Sequence, residues 1–404
     1  MRIWCWLLGN TIPITSTRFT DRPEWKTQAE KEKKSLDAIG AEAAELSATA
    51  GENSDAATSG DEMLKLRREY LQKQISALAA RVRMLKGEKL KFDDESRALY
   101  DAVAPTLSGF ALRSDHCPTG GKDSGEGSAC GSATRIWRKP FVIPKEKLDT
   151  VFQLAIKECR ARTLAHVALP PNESFTVEYV TNKPWGGYNW CKGNFHSVIQ
   201  VNTDLPIFID RAVDLAAHEG YPGHHVYNSL LEKNLVRDRG WVEFSVYALF
   251  SPQSLVAEGT ANFGRDVAFP TKTERMKFEK EVLFPAAGNR FIKRADEYYA
   301  VQDLMKQLDY AANEAARRLI NGEIDESAAV QWLQKYAVME PARAQQRVKF
   351  IQRYRSYVIN YNLGEDMVRR YIEKRSGTDP EETVERIWQT AVLATITQRI
   401  ASDI

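Results

Sequence analysis

Neither sign of charge is in surplus. The 56 lysines and arginines face 54 aspartates and glutamates, so no global field draws the chain to nucleic acid or to an anionic membrane surface. Cysteine is scarce as well. Cys5, Cys117, Cys130, Cys159 and Cys191 are scattered over 404 positions with no Cys-x-x-Cys pair and an odd total, which argues against a disulfide scaffold. Long apolar runs are missing. The opening MRIWCWLLGN is too short to span a bilayer. It resembles a weak signal-peptide core, but no small-residue cleavage site follows it. The expectation is a soluble protein with no membrane span and no nucleic-acid partner. The cytoplasm is favoured over secretion, and the sequence is silent on oligomeric state. Apolar residues still make up 43% of the chain, enough for a sizeable core.

Periodicity divides the chain. Residues 1–61 are weak in core formers and read as a poorly ordered or non-core segment. Within them, 24–50 have helical composition and GENSDAATSGD (51–61) has that of a linker. Residues 62–404 read as one helical catalytic domain. Its first helix carries Leu64, Leu66, Tyr70, Leu71, Ile75, Leu78, Val82 and Leu85 at helical spacing and ends at Gly87. Residues 114–134 have no apolar period and read as a flexible loop. ESFTVEYV (173–180) and HSVIQVNT (196–203) alternate like strands. The intervening NKPWGGYNWCKGN reads as a turn-rich connector. From Pro206 onward nearly every segment is helical. The predicted fold is therefore mainly α, with a small β-sheet set before a histidine-rich helix.

That helix, AHEGYPGHHVYN (Ala217–Asn228), holds His218, His224 and His225, half of the six histidines. Catalytic zinc takes about three protein ligands and keeps one position open. The common His-Glu-x-x-His spacing works because residues four apart share a helix face, with the glutamate beside the metal. Here the second histidine comes six or seven residues after the first. On a straight helix the seventh returns near the starting face, which favours His225. But Pro222 lacks an N–H and its ring collides with the carbonyl of His218, and Gly223 adds freedom. A kink, break or π-bulge between the histidines is therefore expected, and both His224 and His225 stay open as ligands. Glu258, in SLVAEGTANFGRD, is the candidate third ligand, flanked by small residues that permit close helix approach. The competing reading is a plain helix end, with Pro-Gly as its stop and the histidines capping carbonyls.

At these residues the chain resembles a known family, the "domain of unknown function 885" family of zincin-like metallopeptidases. HEGYPGHH and AEGTANF carry the resemblance. YNWCKGNFHSVIQVNTDLP (Tyr188–Pro206) and RYRSYVINYNLG (Arg353–Gly364) support it. Thr260 and Phe263 stand where the family usually has Trp and Tyr. The resemblance implies a zincin-like helical fold and bound Zn2+. It implies His218, His224 and Glu258 as metal ligands, with His225 as the alternative second histidine. It makes Glu219 the general base and Tyr361 the donor to the oxyanion, with Arg353 and Tyr354 positioning substrate. Asn194 and His196 are expected to bind substrate along an edge strand running to Asn202. The implied activity is hydrolysis of a peptide substrate, of the carboxypeptidase or oligopeptidase kind. Two alternatives are a zinc hydrolase of other amides or esters, and a non-catalytic helical scaffold that keeps the metal site.

Overall fold

Helix dominates because apolar residues recur at helical spacing and the ends carry the residues that stop helices. The computed structural model describes residues 16–19, 23–52, 62–106, 137–288 and 292–376. Strand β1 (Ser16–Phe19) precedes helices α1 (Pro23–Glu32), α2 (Leu36–Glu52), α3 (Glu62–Leu85), α4 (Phe92–Tyr100) and α5 (Leu148–His166). The strands β2 (Ser174–Val180), β3 (Gly187–Gly193) and β4 (His196–Asn202) follow, then α6 (Asp210–Leu215), α7 (His224–Leu231) and β5 (Val246–Ala248). The remainder is helical: α8 (Pro252–Ala268), α9 (Lys272–Phe278), α10 (Ala295–Lys306), α11 (Tyr310–Ile320), α12 (Glu326–Tyr336), α13 (Pro341–Tyr354) and α14 (Ile359–Ser376). The protein is mainly α, as expected. Among the described residues no helix is long and apolar enough to cross a membrane.

Local signals account for many boundaries. Gly87, with φ +106°, ends α3 where the sequence placed the stop. Thr271 and Asp325 cap α9 and α12 by accepting the N–H groups of Glu274 and Ala328. Pro252 and Pro341 open α8 and α13, where a missing N–H costs nothing.

The sheet departs from expectation in two ways. First, residues 187–193 form a strand rather than a connector. The turn is compressed into Gly193, Asn194 and Phe195, all at positive φ, and this folds β3 back antiparallel on β4. Second, β4 is not an edge strand. The strand order is β2-β4-β3-β1-β5, and β4 pairs in parallel with β2 along its whole length. Both of its sides are hydrogen-bonded, so it has no free ladder for a peptide.

Within the segment read as poorly ordered or non-core, the described residues 23–52 pack against the rest of the chain. Trp25, Ala29, Ile39 and Ala43 are buried against Leu78, Val82, Val246 and Ala248 in a satellite core. Four apolar positions on two polar helices are too sparse a stripe to stand out, but α3 supplies the matching face. The loop expected at 114–134 lies outside the described residues.

The main core joins α8 to α14. A Cβ added to Gly259 would stand 2.4 Å from the carbonyl oxygen of Gly364. The two helices therefore cross backbone against backbone, as only glycine permits. This contact brings the Glu258 turn of α8 beside the Tyr361 turn of α14.

Candidate metal centre

Helix α6 does not run on into α7. It widens over Ala216–Gly220 into a π-turn, in which Tyr221 N–H reaches back to the Ala216 carbonyl at 3.0 Å and Gly223 N–H to Ala217 at 2.8 Å. The Tyr221–Pro222 bond is cis. Pro222 has no N–H to give to the helix ladder. Gly223 packs so tightly that a Cβ there would lie 2.0 Å from the His218 carbonyl oxygen. A new helix then starts at His224. The break resets the helical phase, so straight-helix arithmetic no longer applies, and His224 rather than His225 faces His218. Their rings meet edge to face at 4.7 Å.

Glu258 closes the cluster. One carboxylate oxygen lies 3.4 Å from His218 Nε2 and the other 3.5 Å from His224 Nε2. Two imidazole nitrogens and a carboxylate are a donor set of the kind zinc takes. Glu258 Oε2 is buried without a hydrogen-bond partner, as is Glu219 Oε2. Two orphaned buried carboxylate oxygens, one of them (Glu258 Oε2) facing His218, are what a cation would satisfy. Both histidine side chains remain partly open, at 15% and 13% exposure, so the centre can be reached from solvent.

The partners of these groups set their orientation. The Asn262 amide donates to the Tyr361 carbonyl at 2.6 Å. That turns its oxygen to His218 Nδ1, 2.8 Å away. An amide oxygen can only accept, so Nδ1 carries a proton and Nε2 is the nitrogen left facing the cluster. Tyr357 donates to Glu258 Oε1 at 2.6 Å. Glu219 hangs from the π-turn over β3, its carbonyl held by the Asn189 amide at 2.8 Å. Gly187 beneath it has no room for a Cβ, which would lie 2.6 Å from Glu219 Oε1.

Electrostatics follow from burial and from these neighbours. Burial raises the Glu219 carboxyl above the ordinary range, partly countered by His218 and His224. For Glu258 burial pushes the same way, but His224 and His218 outweigh it and hold the carboxyl well below the usual range. Burial opposes charge on His218, yet Glu219 and Glu258 push its imidazole up to about 9.

His225 is elsewhere. Fully buried, it binds Glu173 at 2.8 Å through Nε2 and Ser197 at 2.9 Å through Nδ1. Both ring nitrogens are used, so it has none for a metal. Tyr361 is half-buried and its hydroxyl has no hydrogen-bond partner among the described residues. Burial raises its phenol, and the Glu258 and Glu219 carboxylates, close enough to act on it, raise it further.

The four expected substrate contacts do not join the cluster through any hydrogen bond or ion pair. Asn194 sits at the β3–β4 turn, held by Arg237 at 2.8 Å. His196 faces Ser174 at 3.1 Å. Arg353 is exposed on α13, over the Tyr354 ring. Tyr354 is buried among aromatic rings. The sequence reading missed Asn262, Tyr357 and Asn189. Asn262 carried one usable signal, standing one helical turn after Glu258.

No family model matches the chain, and no curated protein matches it. Among solved structures the chain is similar to the crystal structure of "the putative lipoprotein from Colwellia psychrerythraea", at 11% identity and a TM-score of 0.48. The match covers 86% of this chain and 53% of that one, so this chain spans about half the length of that protein.

Proposed function

We propose that the protein is a zinc-dependent metallopeptidase with a zincin-like catalytic domain. The observation that carries this reading is the convergence of His218, His224 and Glu258, with Glu219 beside them. His218, His224 and Glu258 would hold Zn2+, which when bound polarises a scissile carbonyl and acidifies water. Glu219, raised by burial, accepts a proton from the attacking water and returns it to the leaving amine. Asn262 keeps His218 in one tautomer, and Tyr357 fixes the Glu258 carboxylate. The Tyr361 hydroxyl is free to donate to the developing oxyanion, a contact typically worth about 3 kcal/mol of barrier.

Elemental analysis of the purified protein together with a peptide-library digest tests this. The expected result is one zinc per chain, cleavage of peptides, and loss of cleavage in Glu219→Gln with the zinc retained. Cleavage surviving in Glu219→Gln overturns the mechanism. A zinc-bound protein that hydrolyses only other amides or esters overturns the peptide assignment.

A further inference from the structure

Several guanidinium groups on the helices have partners. Arg211 and Arg265 hold Asp214. Arg343 donates to the Pro206 carbonyl, and Arg355 holds Glu95. Arg347 on α13 is different. Its Nε is buried without a hydrogen-bond partner, and no carboxylate lies within ion-pair distance among the described residues. Asp309 acts on it only at longer range.

A half-buried guanidinium without a counterion pays desolvation and receives little in return. Arg81 and Arg275 also have an unpartnered Nε, but buried carboxylates act on each: Glu95 near Arg81, Glu279 near Arg275. Arg347 alone of the three stands over a residue of the centre. Its guanidinium carbon lies 5.8 Å from the centroid of the Tyr361 ring and 5.2 Å from that of Phe350. Tyr361 in turn is 5.7 Å from Tyr357, ring to ring, and Tyr357 holds Glu258. Two aromatic rings therefore link the unpaired cation to the metal ligand. A planar guanidinium with an unpartnered Nε suits a bidentate carboxylate.

We propose that Arg347 is the binding residue for the C-terminal carboxylate of a short peptide, which makes the centre an exopeptidase site acting from the carboxyl end. This rests on the peptidase reading above. It departs from the sequence-based reading, which had Arg353 or Arg355 in that place; Arg353 is exposed and Arg355 holds Glu95.

The test separates the two ideas by measuring binding apart from turnover. Zinc-loaded Glu219→Gln protein is titrated by calorimetry with tripeptides in three forms: free acid, C-terminal amide, and amide carrying an acidic side chain. The free acid is expected to bind about 10- to 100-fold tighter than the amide, the usual worth of a charge-assisted pair. Adding Arg347→Gln is expected to abolish that preference, and Arg347→Lys to keep part of it. In the parent enzyme the same preference appears in KM for the acid over the amide. Equal binding of acid and amide overturns the proposal, as does a preference that survives Arg347→Gln. Equal binding of the acidic-side-chain amide overturns the terminal assignment. If Arg347→Gln does not fold, as judged by circular dichroism, the parent's acid-to-amide ratio and Arg347→Lys decide. An Arg347-dependent preference without peptide hydrolysis by the parent keeps Arg347 as the carboxylate-binding residue but removes the peptidase reading, and the exopeptidase assignment with it.

Discussion

His224 and His225 are neighbours in sequence with opposite surroundings, and their alanine variants should fail in opposite ways. His225 is fully buried, bonded at both nitrogens, with the Phe175 and Tyr221 rings at 5.1 and 5.3 Å. His225→Ala leaves Ser197 without that bond and Glu173 with only Tyr221 and Arg160. It also opens a cavity. Orphaned buried partners cost about 1–3 kcal/mol and the lost side-chain volume about as much again, roughly 4 kcal/mol together. For a chain of this size that is a fall of roughly 5 °C in Tm. Zinc affinity measured on the folded variant should change by no more than about 3-fold, since the direct ligands are intact. His224→Ala should do the reverse. Its side chain is part-exposed, facing Glu258 at 3.5 Å and the His218 ring at 4.7 Å, so stability should fall by less than in His225→Ala. Zinc affinity should drop by more than about 100-fold, beyond what loss of a supporting contact costs. Thermal melts of metal-free protein and competitive zinc titrations at 25 °C read the two effects separately. A His225→Ala protein that melts normally but binds no zinc, or a His224→Ala protein that keeps full affinity, would refute the geometry argued here.

Three further outcomes are expected. Gly259→Ala should cost about 3 kcal/mol, the upper range for overpacking, because its Cβ meets the Gly364 backbone rather than a movable side chain; an unchanged urea midpoint would contradict the backbone-to-backbone crossing. Asn262→Ala should weaken zinc binding about 10- to 100-fold while leaving the fold intact, since it frees the His218 ring to turn; undiminished affinity in a chelator competition rules out that role. Glu279 is buried, and burial lifts its carboxyl to about 8, against Arg275, which lowers it. A raised folded-state value means the native state keeps the proton longer. Its contribution is complete below about pH 4.5 and is lost as pH rises through about 8, at most about 5 kcal/mol. Glu279→Gln should flatten that decline, and parallel urea-melt curves for both proteins across this range would disprove it.

Much of the architecture could be read locally. The α3 stripe and its stop at Gly87, the two alternating strands, and the helix-rich second half all depend on contacts within a few residues. So does the deformation around Pro222, because the clash of a proline ring with the carbonyl four residues back is a local event. The candidate ligands were also legible, since histidine is rare and its clustering stands out against so few. β3 was not legible. Its glycines and asparagines resemble a turn, and only pairing with β4 makes them a strand. The satellite core was hidden because the α3 stripe does not say what covers it, and the α1–α2 positions that do are too sparse to announce themselves.

The amino-acid sequence by itself determined that a helix must break between His218 and the histidine pair, and that a glutamate on a small-residue helix could meet them. It left open which histidine turns inward, because that depends on the phase in which the helix restarts. Only the tertiary structure decided it. Gly223 packed on the His218 carbonyl sets that phase, and Glu173 and Ser197, from strand segments far along the chain, claim both nitrogens of His225. The roles of Asn262 and Tyr357 were fixed the same way, by contacts across some hundred residues. A hydrogen bond between groups so distant leaves no period or spacing in the sequence; it exists only where the glycine crossing of α8 and α14 brings the two backbones together.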